Sequence, residues 1–299
     1  KPSDGRGLPD GLFLVVGTRP LDSLGESLTE PLTRLGDFVK HIDLDSQSVR
    51  DGIENKNELE EFWKRECRLL LREELVEDHC RNASLAVRAA SGIPMILRLV
   101  IDEIASDRLT LNEFLKRPVT NSLMQWLKTE WDRLLNQTST DERNNLIRLA
   151  AFLAAVREPV TPGLLALWLN TGIWNVDRDL QAMSWLLSRQ EDRWSLRHAS
   201  MRELLLLEKA VAKTIGPAHH TIADLALRSI RGELNENELQ LLTDQDRTLL
   251  RSYAVRHVIS HLLSAAEAGH NRGKRITDAL LLLTDPAWLH QRLNLCSTP

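Results

Sequence analysis

The first apolar run in the chain is Leu12-Phe13-Leu14-Val15-Val16, bounded by Gly11 and Gly17. An unbroken run of this length between turn residues predicts a strand buried on both faces, as in a parallel sheet. Val39-Lys40-His41-Ile42-Asp43-Leu44 gives a weaker pattern with apolar residues at alternate positions, and a second strand is expected there. Two such strands do not make an independent sheet. From about Glu54 the period changes. Leu59, Phe62, Trp63, Cys67, Leu70 and Leu71 recur at three- and four-residue steps, the period of a helix with one apolar face. A further helix is expected over 82–90. It stops at Ser91-Gly92-Ile93-Pro94 and restarts over 95–104, with Met95, Ile96, Leu99, Val100 and Ile104 facing the core. Proline suits that restart, because a first-turn residue has no N–H bond to lose.

Another amphipathic helix is predicted over 123–135. Ser139 and Glu142 have the spacing of a capping box and open a helix bearing Leu146, Leu149, Ala150, Leu153 and Ala154. Thr161-Pro162 opens a short helix with a cap and a first-turn proline. Asn175 is expected to cap a third, which carries Leu180, Met183, Leu186 and Leu187. A polar turn at 189–193 and a strand-like stretch at 194–198 complete the order of a winged helix: three helices, then a hairpin. Beyond Ser200 helices are predicted over 204–214, 218–231, 235–243, 248–267 and 276–283, a bundle or α-solenoid without a repeat of fixed period. The expected class is mainly α. Residues 1–53 read as the remnant of a parallel α/β sheet, 54–137 as a helical domain, 138–200 as a winged helix and 201–299 as a helical arm.

Composition narrows the function classes. Of 299 residues, 42% are hydrophobic and 27% charged, the make-up of a globular chain. No apolar run approaches the ~20 residues of a membrane span, so no membrane partner is expected. The net charge of -4 argues against long-range attraction to nucleic acid. Cys67, Cys80 and Cys296 are too scattered for a disulfide framework or a zinc site, and a reducing cytoplasm is the expected compartment. His219 and His220 are adjacent, so on a helix they point about 100° apart and make a poor metal pair. The eight tryptophans are spread over predicted helices and read as core or interface residues, not as a platform for bases. Lys1 is not an initiator methionine and a strand pattern follows almost at once, which suggests a piece of a longer protein.

The order of these segments resembles that of signal-transducing ATPases with numerous domains, the P-loop clade of the NACHT and NB-ARC proteins. LPDGLFLVVGTRP is similar to the clade's sensor strand, ASGIPMILRLV to its Gly-x-Pro segment, and LIRLAAFLAAVREPVTPGLLALWL to the start of its winged helix. WSLRHASMRELL resembles the winged-helix histidine segment, with Met201 where an aromatic residue is common. SYAVRHVISHLLSAAEAG and LLTDPAWLHQRL resemble the helices that lead into a sensor domain, often a WD-repeat propeller. The chain departs from the clade in one respect that matters. It has no Gly-x-x-x-x-Gly-Lys-Ser/Thr loop to cradle phosphates and no acidic residue closing an apolar strand to hold Mg²⁺. Catalysis by this chain alone is therefore not expected.

The resemblance implies a set of nucleotide contacts. Arg19, just past the first strand, becomes the sensor arginine, and a planar, always charged fork suits phosphate oxygens. Gly92, Ile93 and Pro94 become the segment packed on the base of ATP or ADP, Pro94 offering a flat apolar surface. His198 becomes the residue that touches the ADP phosphate. On its own each has a plainer reading: a loop arginine, a helix start, a structural histidine at a strand–helix junction. The function implied is a nucleotide-dependent switch, with Mg²⁺ held in the intact parent. It would couple a C-terminal repeat sensor to homo-oligomerisation and an N-terminal effector, in defence or cell-death signalling. The missing P-loop core would lie upstream. Two alternatives remain open at this level. One is a winged-helix transcription regulator of the same clade, against which stand Asp177 and Asp179 in the third helix. The other is a scaffold that has lost nucleotide binding.

Overall fold

The computed structural model describes residues 53–120 and 122–296. The strands expected at 12–16 and 39–44, and Arg19 between them, lie outside these residues. The described chain is mainly helical, with a single two-stranded sheet.

Helix α1 (Ile53–Leu70) buries Leu59, Trp63 and Cys67 at four-residue intervals against α3 (Ala83–Ala89) and α4 (Pro94–Ala105). Trp63 is fully buried, and its indole N–H donates to the carbonyl of His79 on α2 (Glu73–Arg81) at 2.8 Å. Burying a side chain of this kind contributes roughly 1.5–3 kcal/mol, and the hydrogen bond removes the cost of hiding its polar end. The short α5 (Leu111–Leu115) packs Phe114 beneath this layer, and α6 (Leu123–Asn136) closes it with Trp126, Leu127 and Trp131.

Helix α7 (Thr140–Ala155) is the centre of the molecule. Its capping box forms as the spacing predicts: the Glu142 N–H donates to Ser139 Oγ and the Ser139 N–H to Glu142 Oε2. From Leu149 to Ala155 every residue is buried, because neighbours surround the helix. They are α8 (Pro162–Leu169), α9 (Ile173–Ala182), α10 (Ala199–Leu207) and the long α11 (Lys209–Arg231). A 3-10 turn (Ser184–Leu186) leads from α9 into β1 (Leu187–Gln190), which pairs antiparallel with β2 (Arg193–Leu196), Leu187 opposite Leu196. Val160 adds a bridge on the other edge of β2, exchanging both backbone bonds with Trp194 at 2.8 and 2.9 Å.

The remaining helices are α12 (Glu236–Gln240), α13 (Asp244–Glu267), α14 (Arg272–Leu283) and α15 (Pro286–Cys296). One continuous apolar cluster runs from Leu59 to Tyr253, and a smaller one joins α11, α13, α14 and α15 around Trp288. Small residues allow close packing here. A Cβ on Gly216 of α11 would lie 2.6 Å from that of Ala268. Among the described residues no single helix is long and apolar enough to cross a membrane.

Several expectations change. The helix expected over 204–214 is interrupted at Glu208, which is extended and separates α10 from α11. The third helix starts at Ile173 behind Gly172, so Asn175 lies inside the first turn and its amide reaches back to Thr171. That helix ends at Ala182, and Leu186 and Leu187 belong to the 3-10 turn and to β1. The wing strand spans 193–196, which leaves Glu191 and Asp192 as the turn, with Glu191 at φ 57°. Pro217 does not divide 209–231 into two helices. Val211 and Gly216 before it and Ala218, Ile222 and Leu225 after it are buried on the same helix, and that packing outweighs the one backbone bond proline removes. Of the tryptophans, Trp174 is the exception to the core reading, 82% exposed near the start of α9.

Candidate functional site

The turn between α3 and α4 is set by a helix stop. Ser91 and Gly92 both take the left-handed conformation, at φ 52° and 68°. The Gly92 N–H donates to the carbonyl of Val87 and the Ser91 N–H to that of Arg88, the paired bonds of a Schellman ending. Ile93 then turns extended and Pro94 enters the first turn of α4. Gly92 and Ile93 are buried by this arrangement, and of the three residues only Pro94 is exposed. An apolar ring open to solvent at a helix start is what a flat base could cover.

His198 follows β2 by two residues and is the N-cap of α10, in extended conformation. Its Nδ1 accepts from the backbone N–H of Ser200 at 3.2 Å and lies 3.1 Å from Ser200 Oγ. Because Nδ1 is the acceptor, the neutral ring carries its proton on Nε2. The side chain is exposed, so that N–H is a donor available to an anion. The cap thus does two things: it satisfies an orphan amide of α10 and fixes the tautomer.

Pro94 and His198 are linked through α4. Pro94, Arg98 and Asp102 are four residues apart and share one stripe of the helix. Asp102 Oδ2 accepts from Nη1 of Arg197, the residue before His198. Asp102 Oδ1 is 3.3 Å from Nε of Arg98, and Arg98 Nη1 donates to Glu66 of α1 at 2.5 Å. Arg65 also reaches Glu66, at 3.3 Å. Five charged side chains therefore run from α1 across α4 to the hairpin. Arg98 and Asp102 have readable i, i+4 spacing, but the partners Glu66 and Arg197 are 32 and 95 residues away, and nothing in the sequence pairs them.

A second polar cluster is buried where α11 meets α13. His219 Nδ1 is 2.7 Å from His261 Nδ1, and His261 Nε2 is 2.7 Å from the hydroxyl of Tyr253. The Arg157 N–H donates to that hydroxyl oxygen at 3.3 Å. One assignment of protons gives each bond in the chain a donor and an acceptor: Tyr253 O–H donates to His261 Nε2, and His261 Nδ1–H donates to His219 Nδ1. The opposite assignment leaves the phenol proton without an acceptor. Both rings are neutral. Burial, with Arg157 and Arg202 nearby, pushes His219 down to about 4. Burial, then His219 and Arg157, pushes His261 down to about 2. Burial raises the Tyr253 phenol well above its ordinary value.

The adjacent His219 and His220 diverge as expected, His220 turning to the buried Arg275 at 2.8 Å. Among the described residues no three His, Cys, Asp or Glu side chains are placed to hold a metal. A cleft of about 500 Å³ lies elsewhere, lined by Trp168, Asn170, His220, Asp224 and Glu238, and includes neither Pro94 nor His198. Comparison of the chain with protein-family models, curated proteins and solved structures found no match.

Proposed function

We propose that this chain is the regulatory part of an ADP/ATP-dependent signalling switch, in which 138–200 forms a winged helix that clamps a nucleotide held mainly by an upstream P-loop core. The observation that carries the reading is His198: a helix-capping, tautomer-fixed, exposed imidazole donor at the junction of hairpin and helix. A hydrogen bond from Nε2–H to a phosphate oxygen would be charge-assisted. The exposed ring of Pro94 fits the apolar face of a base. The nucleotide would supply the negative charge and the difference between two states; this chain would supply the clamp. Cytoplasmic location, homo-oligomerisation on activation and a C-terminal repeat sensor belong to the same reading.

The third helix favours a clamp over a DNA reader. Arg178 on α9 is spent on Asp179 at 3.0 and 3.1 Å. On the hairpin, Arg189 donates to the Glu191 carbonyl and stacks 5.4 Å from the centre of the Trp194 ring. Arg178 is thereby neutralised for a phosphate backbone, whereas Arg189 keeps its charge.

The test uses the full-length protein. The first requirement is a Gly-x-x-x-x-Gly-Lys-Ser/Thr loop in the residues upstream of Lys1. Replacing His198 with Ala removes a bond to a charged group, roughly 1.5–3 kcal/mol, or about one to two orders of magnitude in the closed–open equilibrium. His198→Ala should raise oligomerisation without activating ligand, read by light scattering. Arg19→Ala, losing a contact to the terminal phosphate of ATP, should lower ligand-triggered assembly. If both variants fold and neither changes assembly, the site assignment fails.

A further inference from the structure

We infer that the Arg197–Asp102 pair is a latch that holds the hairpin against α4, and that the hairpin side cannot open onto solvent until this pair is broken. The guanidinium belongs to the hairpin. Its Nε and Nη2 both donate to the carbonyl of Leu187 at 3.2 Å, and its backbone N–H donates to Leu186 at 2.9 Å. Only Nη1 points across, to Asp102. The fork is therefore rigid with respect to β1 whether or not the latch is closed.

Asp102 is equally fixed on its own side. Arg98, one turn earlier on the same stripe, holds the other carboxylate oxygen, and Glu66 holds Arg98. The pair thus joins two pre-set halves, which lowers the entropy lost on closing. Its side chains are 26% and 20% exposed, dry enough for the charges to matter and wet enough for the open form to be solvated. The contact beneath is apolar and closed: Trp185 and Leu186 are 5% and 0% exposed and belong to the main core cluster. The 3-10 turn Ser184–Leu186 packs on α4, and Trp185 meets Trp126 edge-on at 6.2 Å. The hairpin keeps its own bonds and its Val160 bridge when the latch opens, so release does not require unfolding.

As a regulator the latch rests on the switch reading above, since His198 follows Arg197 directly and would move with it. Its test needs no nucleotide, so the two can fail separately. Ser184→Cys places a thiol in the turn, at a buried position that packs against α4 and differs by one atom. The rate of its alkylation in the folded chain, mapped by mass spectrometry, reads the open population. Cys67, buried in the α1 core, reads wider unfolding in the same sample. In the Ser184→Cys background, Arg197→Gln should raise labelling of the new thiol about tenfold, the equivalent of ~1.4 kcal/mol, with Cys67 unchanged. Asp102→Asn should do the same, and the two together should add little beyond either alone, as for partners in one interaction. Unchanged rates, a parallel rise at Cys67, or multiplicative effects in the double variant would each overturn the latch.

Discussion

Acid should destabilise this protein through the buried histidine pair, with a slope that the structure predicts. Both histidines are neutral in the fold, with values pushed down to about 4 and about 2, against about 6.5 in an unfolded chain. Below 6.5 the unfolded state therefore binds more protons than the native state, and stability falls as pH falls. Their contribution is fully present above pH 6.5. It is lost progressively down to about 4 for His219 and further for His261. Between pH 7.5 and 5.5 each histidine costs about 1.4 kcal/mol, so the pair costs about 3 kcal/mol, against a typical total of roughly 5–15 kcal/mol. The chain of donors explains why the fold does not relax to accept the proton. A second N–H on either ring would face another donor, or Arg157 and Arg202, whose charges oppose it. The assay is urea unfolding at pH 7.5, 6.5 and 5.5, comparing the wild type with His219→Leu/His261→Leu/Tyr253→Phe. The triple change removes every side-chain member of the chain, so it leaves no orphaned partner except the Arg157 N–H, a cost common to all three pH values. Other carboxylates and histidines titrate alike in both proteins. The variant should lose about 3 kcal/mol less than the wild type between pH 7.5 and 5.5. Equal slopes would mean that the pair is not buried and neutral, and would refute the proton assignment.

Two glycines should respond to alanine with opposite signs. At Gly163 a Cβ would lie 2.6 Å from Oδ2 of Asp246, whose carboxylate cannot yield because it is bonded to Thr161 and to the Thr243 cap. Gly163→Ala should cost ~1–3 kcal/mol, whereas Gly273→Ala, with open space around it, should gain ~0.4–1 kcal/mol; urea midpoints decide both. Ser139→Ala, which dismantles the capping box of the central helix, should cost ~0.5–2 kcal/mol, and an unchanged midpoint would show that α7 is held by packing alone.

Local chemistry was legible in the residues. Ser139 with Glu142, and Thr161 with Pro162, announce helix starts because a cap needs only neighbours three residues away. The stop at Ser91-Gly92 and the restart at Pro94 are equally local, as φ above zero and a missing N–H are properties of those residues. The helical periods of α1, α4 and α7 marked one buried face of each, although Leu70 is exposed, and Ala151, Phe152 and Ala155 are buried outside that face because neighbouring helices surround α7. Tertiary structure decided the rest. Pro217 reads as a break and stays inside α11, because buried contacts on both sides outweigh one lost bond. Leu186 and Leu187 continue the period of α9 yet leave it, drawn into the turn and the strand by pairing with residues beyond Asp192. The histidine chain, the Asp246 bond to Thr161 and the Asp102 latch to Arg197 join residues 42, 85 and 95 positions apart. A sequence fixes what each residue can bond. Which distant residue it meets depends on how helices stack, and stacking is settled by the shape of the whole core.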